Sequence, residues 1–132
     1  MARMTTTEPT QATDLTAAID AYLEVWNESD DAGRADRARQ VFTDDARLVD
    51  PLIDATGPDA IAAAIGELRT QMPGLSLVRT SGLDTHHDLT RFTWAAQGTD
   101  GTVAVAGLDL LLLAPDGRIS YSVAFFGDLP DD

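Results

Sequence analysis

The chain has 132 residues, enough for one domain, and 44% of them are hydrophobic, so that a buried core can form. The absence of cysteine excludes disulfides and cysteine-ligated metals, and the absence of lysine excludes Schiff-base catalysis and pyridoxal-phosphate attachment. A formal net charge of -13 argues against nucleic acid and anionic membranes as partners.

We predict a disordered tail over residues 1–13, because this segment is polar and lacks the apolar stretch of a secretory signal. No uninterrupted apolar run approaches the roughly 20 residues of a membrane-spanning helix. These features together predict a cytoplasmic protein. The use of arginine in place of lysine is typical of a GC-rich bacterium.

Three helices are predicted in the first half of the chain. Over residues 14–27 apolar side chains recur every three or four positions, which is the helical period. A shorter helix follows the polar segment ESDDAGRA, and a third helix begins with a proline in its first turn. The apolar positions are Leu15, Ile19, Tyr22, Leu23 and Trp26 in the first helix, Ala35, Ala38, Val41 and Phe42 in the second, and Ile61, Ala64, Ile65 and Leu68 in the third.

Strands are predicted for most of the remaining chain. A short extended piece at residues 46–49 ends at Asp50, because the proline that follows stops a strand. Longer strands are predicted at residues 75–83, 88–97, 102–113 and 118–126, joined in part by the hairpin sequences GTDG and APDG. This order predicts an α+β domain over residues 14–128, with three N-terminal helices packed on one face of a curved antiparallel sheet, and a short tail at residues 129–132.

One predicted strand, TVAVAGLDLLLL, is apolar on both faces except at Asp109. If the GTDG hairpin pairs Trp94 with Val105 and Phe92 with Gly107, both aromatic side chains lie on the same side as Asp109. Desolvation should raise the pKa of this carboxyl group and favour its neutral form, which makes Asp109 a functional candidate. The alternative is a structural aspartate held by a polar partner.

The opposite face of the same strand is too apolar to be left in water, which predicts a homodimer through the outer face of the sheet. In the last strand small and large side chains alternate. If the small set faces inward, it leaves room for a ligand, and the large set then extends the outer face; the reverse assignment is also open. The small set with its terminal aromatic is Ser120, Ser122, Ala124 and Phe126, and the large set is Ile119, Tyr121, Val123 and Phe125.

The segment FTDDARLVDPLIDATGPDAIAAAI combines two acidic residues, a short strand, an Asp-Pro pair and a glycine-containing loop before a helix. This pattern resembles the ketosteroid isomerases, which belong to the nuclear transport factor 2-like superfamily together with the SnoaL-type polyketide cyclases. The segment AYLEVWNESD resembles the isomerase helix that carries an oxyanion-hole tyrosine. A third match is an aspartate eight residues before the glycine of a Gly-Arg-Ile hairpin.

The resemblance implies a cone-shaped sheet with the helices on its concave face, a general base at Asp50, and oxyanion donors at Tyr22 and Asp109. Phe42 and Ile65 stand where some isomerases have further tyrosines that support the oxyanion tyrosine. From the residues alone, Asp-Pro is also a common turn, and Tyr22 also fits the apolar core face of its helix.

The function implied by the resemblance is proton transfer next to the carbonyl of a hydrophobic ketone or polyketide-like substrate, of the isomerase or cyclase type and without a cofactor. Trp26, Phe92, Trp94 and Phe126 are predicted to bind this small hydrophobic molecule. Two alternatives stay open. One is a non-catalytic ligand-binding or dimerisation module of the same fold, and the other is a hydrolase of the epoxide hydrolase type that activates water.

The adjacent His86 and His87 do not predict a metal site, because neighbouring side chains on a strand point to opposite faces. One of these histidines, or Arg91, can border the pocket.

Overall fold

The computed structural model describes the backbone of residues 8–132 and the side chains of residues 14–132. Within that range the chain forms three helices and seven strands. None of these helices has the length and apolar character needed to cross a membrane. The elements are α1 (Glu8–Asn27), α2 (Asp31–Val41), β1 (Phe42–Val49), β2 (Asp54–Thr56), α3 (Pro58–Gln71), β3 (Ser76–Arg79), β4 (Asp84–His86), β5 (Leu89–Gln97), β6 (Val103–Leu113) and β7 (Ile119–Phe126).

The first helix begins at Glu8, earlier than predicted. Residues 8–13, predicted as part of a disordered tail, belong to this helix in the structure, while residues 1–7 lie outside the described part of the chain. Pro9 falls in the first turn of α1, where the missing backbone N–H of proline costs no helical hydrogen bond. A polar sequence with a proline at this place is thus compatible with a helix start as well as with a tail.

The strand order is β2-β1-β7-β6-β5-β3, with β4 paired to β5, and the sheet is curved and not closed. The predicted α+β class, with three helices and a cone-like sheet, is confirmed. One pair departs from an all-antiparallel sheet, because β1 pairs with β7 in parallel. Parallel neighbours need a long crossover, and the chain between β1 and β7 supplies it through α3 and the intervening hairpins.

The β5–β6 pairing differs by two residues from the predicted pairing, since Phe92 lies opposite Asp109 and Trp94 lies opposite Gly107. The loop comprises residues 98–102, one residue more than the predicted GTDG turn. The register of the strand pair also shifts between Ala96 and Gln97. A shift of two residues keeps every side chain on its face, whereas a shift of one would reverse the faces. The predicted placement of Phe92 and Trp94 on the side of Asp109 therefore holds despite the wrong register.

The core lies between the helices and the concave face of the sheet. It includes Ile19, Tyr22, Val25, Phe42, Leu48, Ile61, Ile65, Phe92 and Leu111, which are all nearly inaccessible to solvent.

The opposite face of the sheet carries large exposed apolar side chains, with Phe125 66% and Leu110 38% exposed. The homodimer predicted through this face stays a prediction. In β7, Ser122, Ala124 and Phe126 of the small set face inward, and Ser120 lies at the irregularity in the pairing with β6. Ile119, predicted to face outward, is buried, because the pairing with β6 shifts between Leu112 and Leu113 and rotates Ile119 into the core.

Candidate active site

A cavity of about 110 Å³ lies between the end of α1, the end of α3 and the concave face of the sheet. This space is several times the roughly 15 Å³ that one water molecule requires. The wall is almost entirely apolar. The residues that line the cavity are Trp26, Asn27, Asp50, Leu52, Leu68, Arg69, Met72, Leu75, Ser76, Leu77, Trp94, Ala96, Val105, Asp109, Ala124 and Phe126.

Asp109 stands in the middle of β6 and is only 2% exposed. Each of its carboxyl oxygens has a hydrogen-bond donor: the Tyr22 hydroxyl donates to Oδ2 at 2.8 Å, and the Trp94 indole N–H donates to Oδ1 at 2.8 Å. The two donors come from α1 and β5, so the carboxyl group is fixed by elements on two sides. The carboxyl group is therefore held in one orientation at the cavity wall.

The Tyr22 hydroxyl has a second partner, since its oxygen lies 2.9 Å from Ser122 Oγ in β7. Both residues are buried. The rings of Phe42 and Phe92 contact the tyrosine ring edge-on, with centroids 6.0 and 6.4 Å away. Ser122 is therefore the hydroxyl neighbour of Tyr22, while Phe42 packs against the ring.

Burial raises the pKa of Asp109 to about 7. The hydrogen bonds from Tyr22 and Trp94 act in the opposite direction, because they stabilise the carboxylate, and the charge of Asp50 adds a further increase. Burial also raises the pKa of Tyr22 well above its usual value, followed in importance by the charge of Asp109. At neutral pH Tyr22 is thus a neutral donor, whereas Asp109 readily takes up and releases a proton.

Asp50 lies at the end of β1 and is half-buried on the same cavity wall. Its Oδ1 accepts the backbone N–H groups of Leu52 and Ile53, each at 2.8 Å, so the carboxylate closes a turn in the β1–β2 loop. Burial raises the pKa of Asp50 above its usual value, and the two backbone hydrogen bonds oppose that increase. The structural and the functional hypotheses for Asp50 are therefore compatible, because the turn leaves the residue at the cavity.

Of the four predicted substrate-binding residues, Trp26, Trp94 and Phe126 line the cavity, and Phe92 does not belong to the described lining. The rings of Trp94 and Phe126 meet edge-to-face with centroids 5.4 Å apart. Tyr22 is likewise not among the described residues of the wall, because it lies behind Asp109. Its hydroxyl therefore acts on the cavity through the Asp109 carboxyl group.

The position of Trp94 depends on Gly107, its neighbour on β6. A Cβ atom at position 107 would lie 2.5 Å from Trp94 Cζ2 and would also collide with the backbone oxygen of Phe125. Glycine is therefore required where the indole crosses β6 to reach Asp109.

The Trp26 indole N–H is sealed from solvent and lies beside the Tyr22 hydroxyl, where it makes the smallest contribution to the pKa of that tyrosine and lowers it. Trp26 therefore contributes its ring, and not its N–H, to the cavity wall.

Three polar residues of the site were not predicted from the sequence. Ser122 could have been found as a polar residue in the inward set of the last strand. Arg69 continues the apolar stripe of α3 at the spacing of Ile61 and Ile65, which is the signal that it faces the interior. Asn27 ends α1 and pairs with the backbone of Leu77 through its amide, at 2.9 and 2.7 Å, so it ties the helix to the edge strand β3.

His86 and His87 are exposed at the β4–β5 turn, and the ring centroids are 5.4 Å apart. Neither residue lines the cavity, nor does Arg91, which pairs with Asp84. Within the described side chains no cluster of histidine and carboxylate residues has the geometry to hold a metal ion.

Comparisons with known proteins agree with this architecture. The model of the SnoaL-like domain family matches residues 19–122. A protein of the SnoaL-like family from Agrobacterium tumefaciens, for which an isomerase activity has been suggested, superposes with a TM-score of 0.83 at 34% identity, over 88% of this chain and 99% of that chain. A search of curated proteins gives no significant match.

More distant structures share the fold. A SnoaL-like protein from Jannaschia sp. CCS1, for which a polyketide cyclase activity has been suggested, has a TM-score of 0.65 at 20% identity and covers 84% of this chain and 85% of its own. An NTF2-like protein of unknown function from Exiguobacterium sp. 255-15 has a TM-score of 0.64 at 22% identity, over 85% of this chain and 99% of that chain. The chain belongs to the SnoaL-like domain family.

Proposed function

We propose that the protein is a small acid–base enzyme that moves a proton at the carbon next to the carbonyl of an apolar ketone, as an isomerase or a cyclase does. The observation that carries this proposal is Asp109, a buried carboxyl group on the wall of an apolar cavity, with a donor on each oxygen and a pKa of about 7. A general acid or base is most effective when its pKa lies near the working pH.

In this proposal Asp109 accepts the proton from the carbon and returns it. The donors Tyr22 and Trp94 stabilise its ionised form and hold its orientation, and they need not move when the proton arrives. The expectation from the resemblance gives the base role to Asp50 and makes Asp109 the oxygen donor. Both carboxyl groups line the cavity, so single substitutions can distinguish the two assignments.

Asp50 supports the proton transfer through its charge. Its carboxylate raises the pKa of Asp109, although less than burial does, and thereby helps to keep a proton available near neutral pH. Since Asp50 already accepts two backbone N–H groups, part of its capacity to receive a hydrogen bond is taken up by the loop.

The wall also favours a ketone as the ligand. Apolar side chains surround most of the cavity, which suits a hydrocarbon body. Among the described residues of the wall only a few are polar, which suits a ligand with one polar group such as a carbonyl.

The test is deuterium exchange at the carbon next to the carbonyl, followed by NMR for two ketones: the methyl ester of 3-benzoylpropionate and a β,γ-unsaturated ketosteroid. We expect exchange above the buffer rate that saturates with protein concentration and increases with pH around 7. Ligand binding is measured in parallel by tryptophan fluorescence, because both tryptophans of the chain line the cavity. Binding without exchange would support the non-catalytic module instead.

A further inference from the structure

Arg69 is a cationic side chain on the cavity wall that the proposed proton transfer does not use. It lies in the last turn of α3 and is half-buried. Its Nη1 donates to the backbone oxygens of Trp26 at 2.8 Å and of Leu75 at 3.4 Å. The guanidinium therefore lies where the end of α1 meets the segment before β3, and both of these acceptor residues also line the cavity.

The charge environment of Arg69 is unusual for this chain. Six other arginines in the described range pair with a carboxylate within 4.0 Å, but Arg69 does not. Arg79 also lacks such a partner, but it is not part of the described cavity wall. With 22 acidic residues for nine arginines, a carboxylate partner is the common arrangement in this protein, and Arg69 departs from it.

The remaining donors of Arg69 have the geometry for an anion. Within the described side chains and backbone, only Nη1 makes hydrogen bonds, so Nε and Nη2 have no partner there and are in contact with solvent. Polar atoms form almost none of the cavity surface, so both nitrogens face solvent at the edge of the cavity and not its interior. These two nitrogens form one edge of the planar guanidinium, which matches the two oxygens of a carboxylate. Arg69 is also the one cationic residue among the described residues of the wall.

We infer that the substrate is an apolar keto acid whose carboxylate binds Arg69 while its ketone lies toward Asp109. This inference rests on the proposed function, because it names the substrate class for the same cavity. Repulsion reinforces the orientation: Asp50 and Asp109 disfavour an anion at their side of the wall, and the net charge of -13 disfavours it everywhere except near a cation.

The experiment compares two probes that differ by one charge, 3-benzoylpropionate and its methyl ester. Dissociation constants are measured by tryptophan fluorescence. For an acidic protein without an anion site, the neutral ester should bind more tightly. We expect the acid to bind about tenfold more tightly than the ester, and we expect this advantage to shrink in about 0.5 M salt.

The matched variants are Arg69→Gln and Arg39→Gln. Each removes one positive charge, but Arg39 is exposed on α2 and pairs with Asp36 and Asp59, and none of these three belongs to the described cavity wall. Arg69→Gln should reverse the preference in favour of the ester, and Arg39→Gln should leave the preference unchanged.

The inference is overturned if the unmodified protein binds the ester as tightly as the acid or more tightly, a result that needs no variant to fold. It is also overturned if folded Arg69→Gln keeps the preference for the acid. In both cases exchange on the ester would leave the proposed function standing. If neither probe binds, the apolar ketone site itself is refuted, and both proposals fail together.

Discussion

The middle of β6 and the loop after β1 place a carboxyl group against the same cavity in two different ways. Asp109 has lost nearly all contact with water, and its two donors are side chains from other elements. Asp50 keeps part of its solvent contact, and its two donors are backbone groups of its own loop. The comparison teaches that burial raises the pKa of both carboxyl groups, to about 7 for the more deeply buried Asp109, whereas the backbone donors at Asp50 oppose that increase.

The largest expected effect comes from Asp109→Asn. If Asp109 carries the proton, this substitution should lower the exchange rate by about 10²–10⁴, because a general base is removed. Asp50→Asn should lower it by only about tenfold, since it removes a neighbouring charge and retains an acceptor oxygen for the turn. Asp20→Asn, on the exposed face of α1, is the surface control. A larger loss in Asp50→Asn than in Asp109→Asn would restore the roles that the ketosteroid isomerase resemblance implies.

The free energy of unfolding is expected to change by several kcal/mol with pH. The pKa of Asp109 is about 7 in the folded protein and near 4 in an unfolded chain, so the folded form binds the proton more tightly between these values. The free energy of unfolding should therefore lose up to about 4 kcal/mol from this group as the pH rises from 4 to 7. In the Asp109→Asn variant this pH-dependent loss of stability should be absent.

Urea denaturation at pH 5 and pH 8 measures this contribution as a difference between the variant and the unmodified protein, so that other titrating groups cancel. The variant should gain stability relative to the unmodified protein at the higher pH. A difference that does not change between the two pH values would show that Asp109 titrates normally.

A smaller effect is expected when the support of Asp109 is altered. Tyr22→Phe removes a hydrogen bond that lowers the pKa of Asp109, so the pH at which the exchange rate is half-maximal should rise. Ser122→Ala is the matched variant, because Ser122 contacts the tyrosine hydroxyl and not the carboxyl group. We expect a smaller displacement in Ser122→Ala. An unchanged pH profile in Tyr22→Phe would mean that the hydroxyl has no influence on the reacting carboxyl group.

Asp109 was predictable because a single charged residue interrupts a strand that is apolar on both faces. The face of the sheet on which Phe92 and Trp94 lie was predictable from the alternation of side chains along a strand. A register error of two residues does not change that face. The parallel β1–β7 pair was not predictable from local patterns, since it joins segments separated by most of the sheet. A periodic pattern shows which face of a strand is buried but not which distant strand pairs with it.

The depth of Tyr22 and the contacts of Arg69 were also beyond the sequence. A tyrosine on an apolar helix face can end at the cavity or behind its wall, and only the packing of α1 on β6 and β7 places the hydroxyl behind Asp109. The apolar stripe of α3 indicates that Arg69 faces the interior, but not what it contacts there. Its backbone acceptors belong to α1 and to the segment before β3, which come together only in the folded chain.

Gly107 sets a limit on how this cavity can be remodelled. The side chains around the ligand space can be exchanged for larger or smaller ones to change its shape, but position 107 cannot accept even a methyl group without moving Trp94 or separating β6 from β7. Such a movement would withdraw the indole N–H from Asp109 and alter the acidity of a group that the substitution never touches. A substitution at residue 107 would therefore change the pKa of Asp109 more directly than the shape of the ligand space.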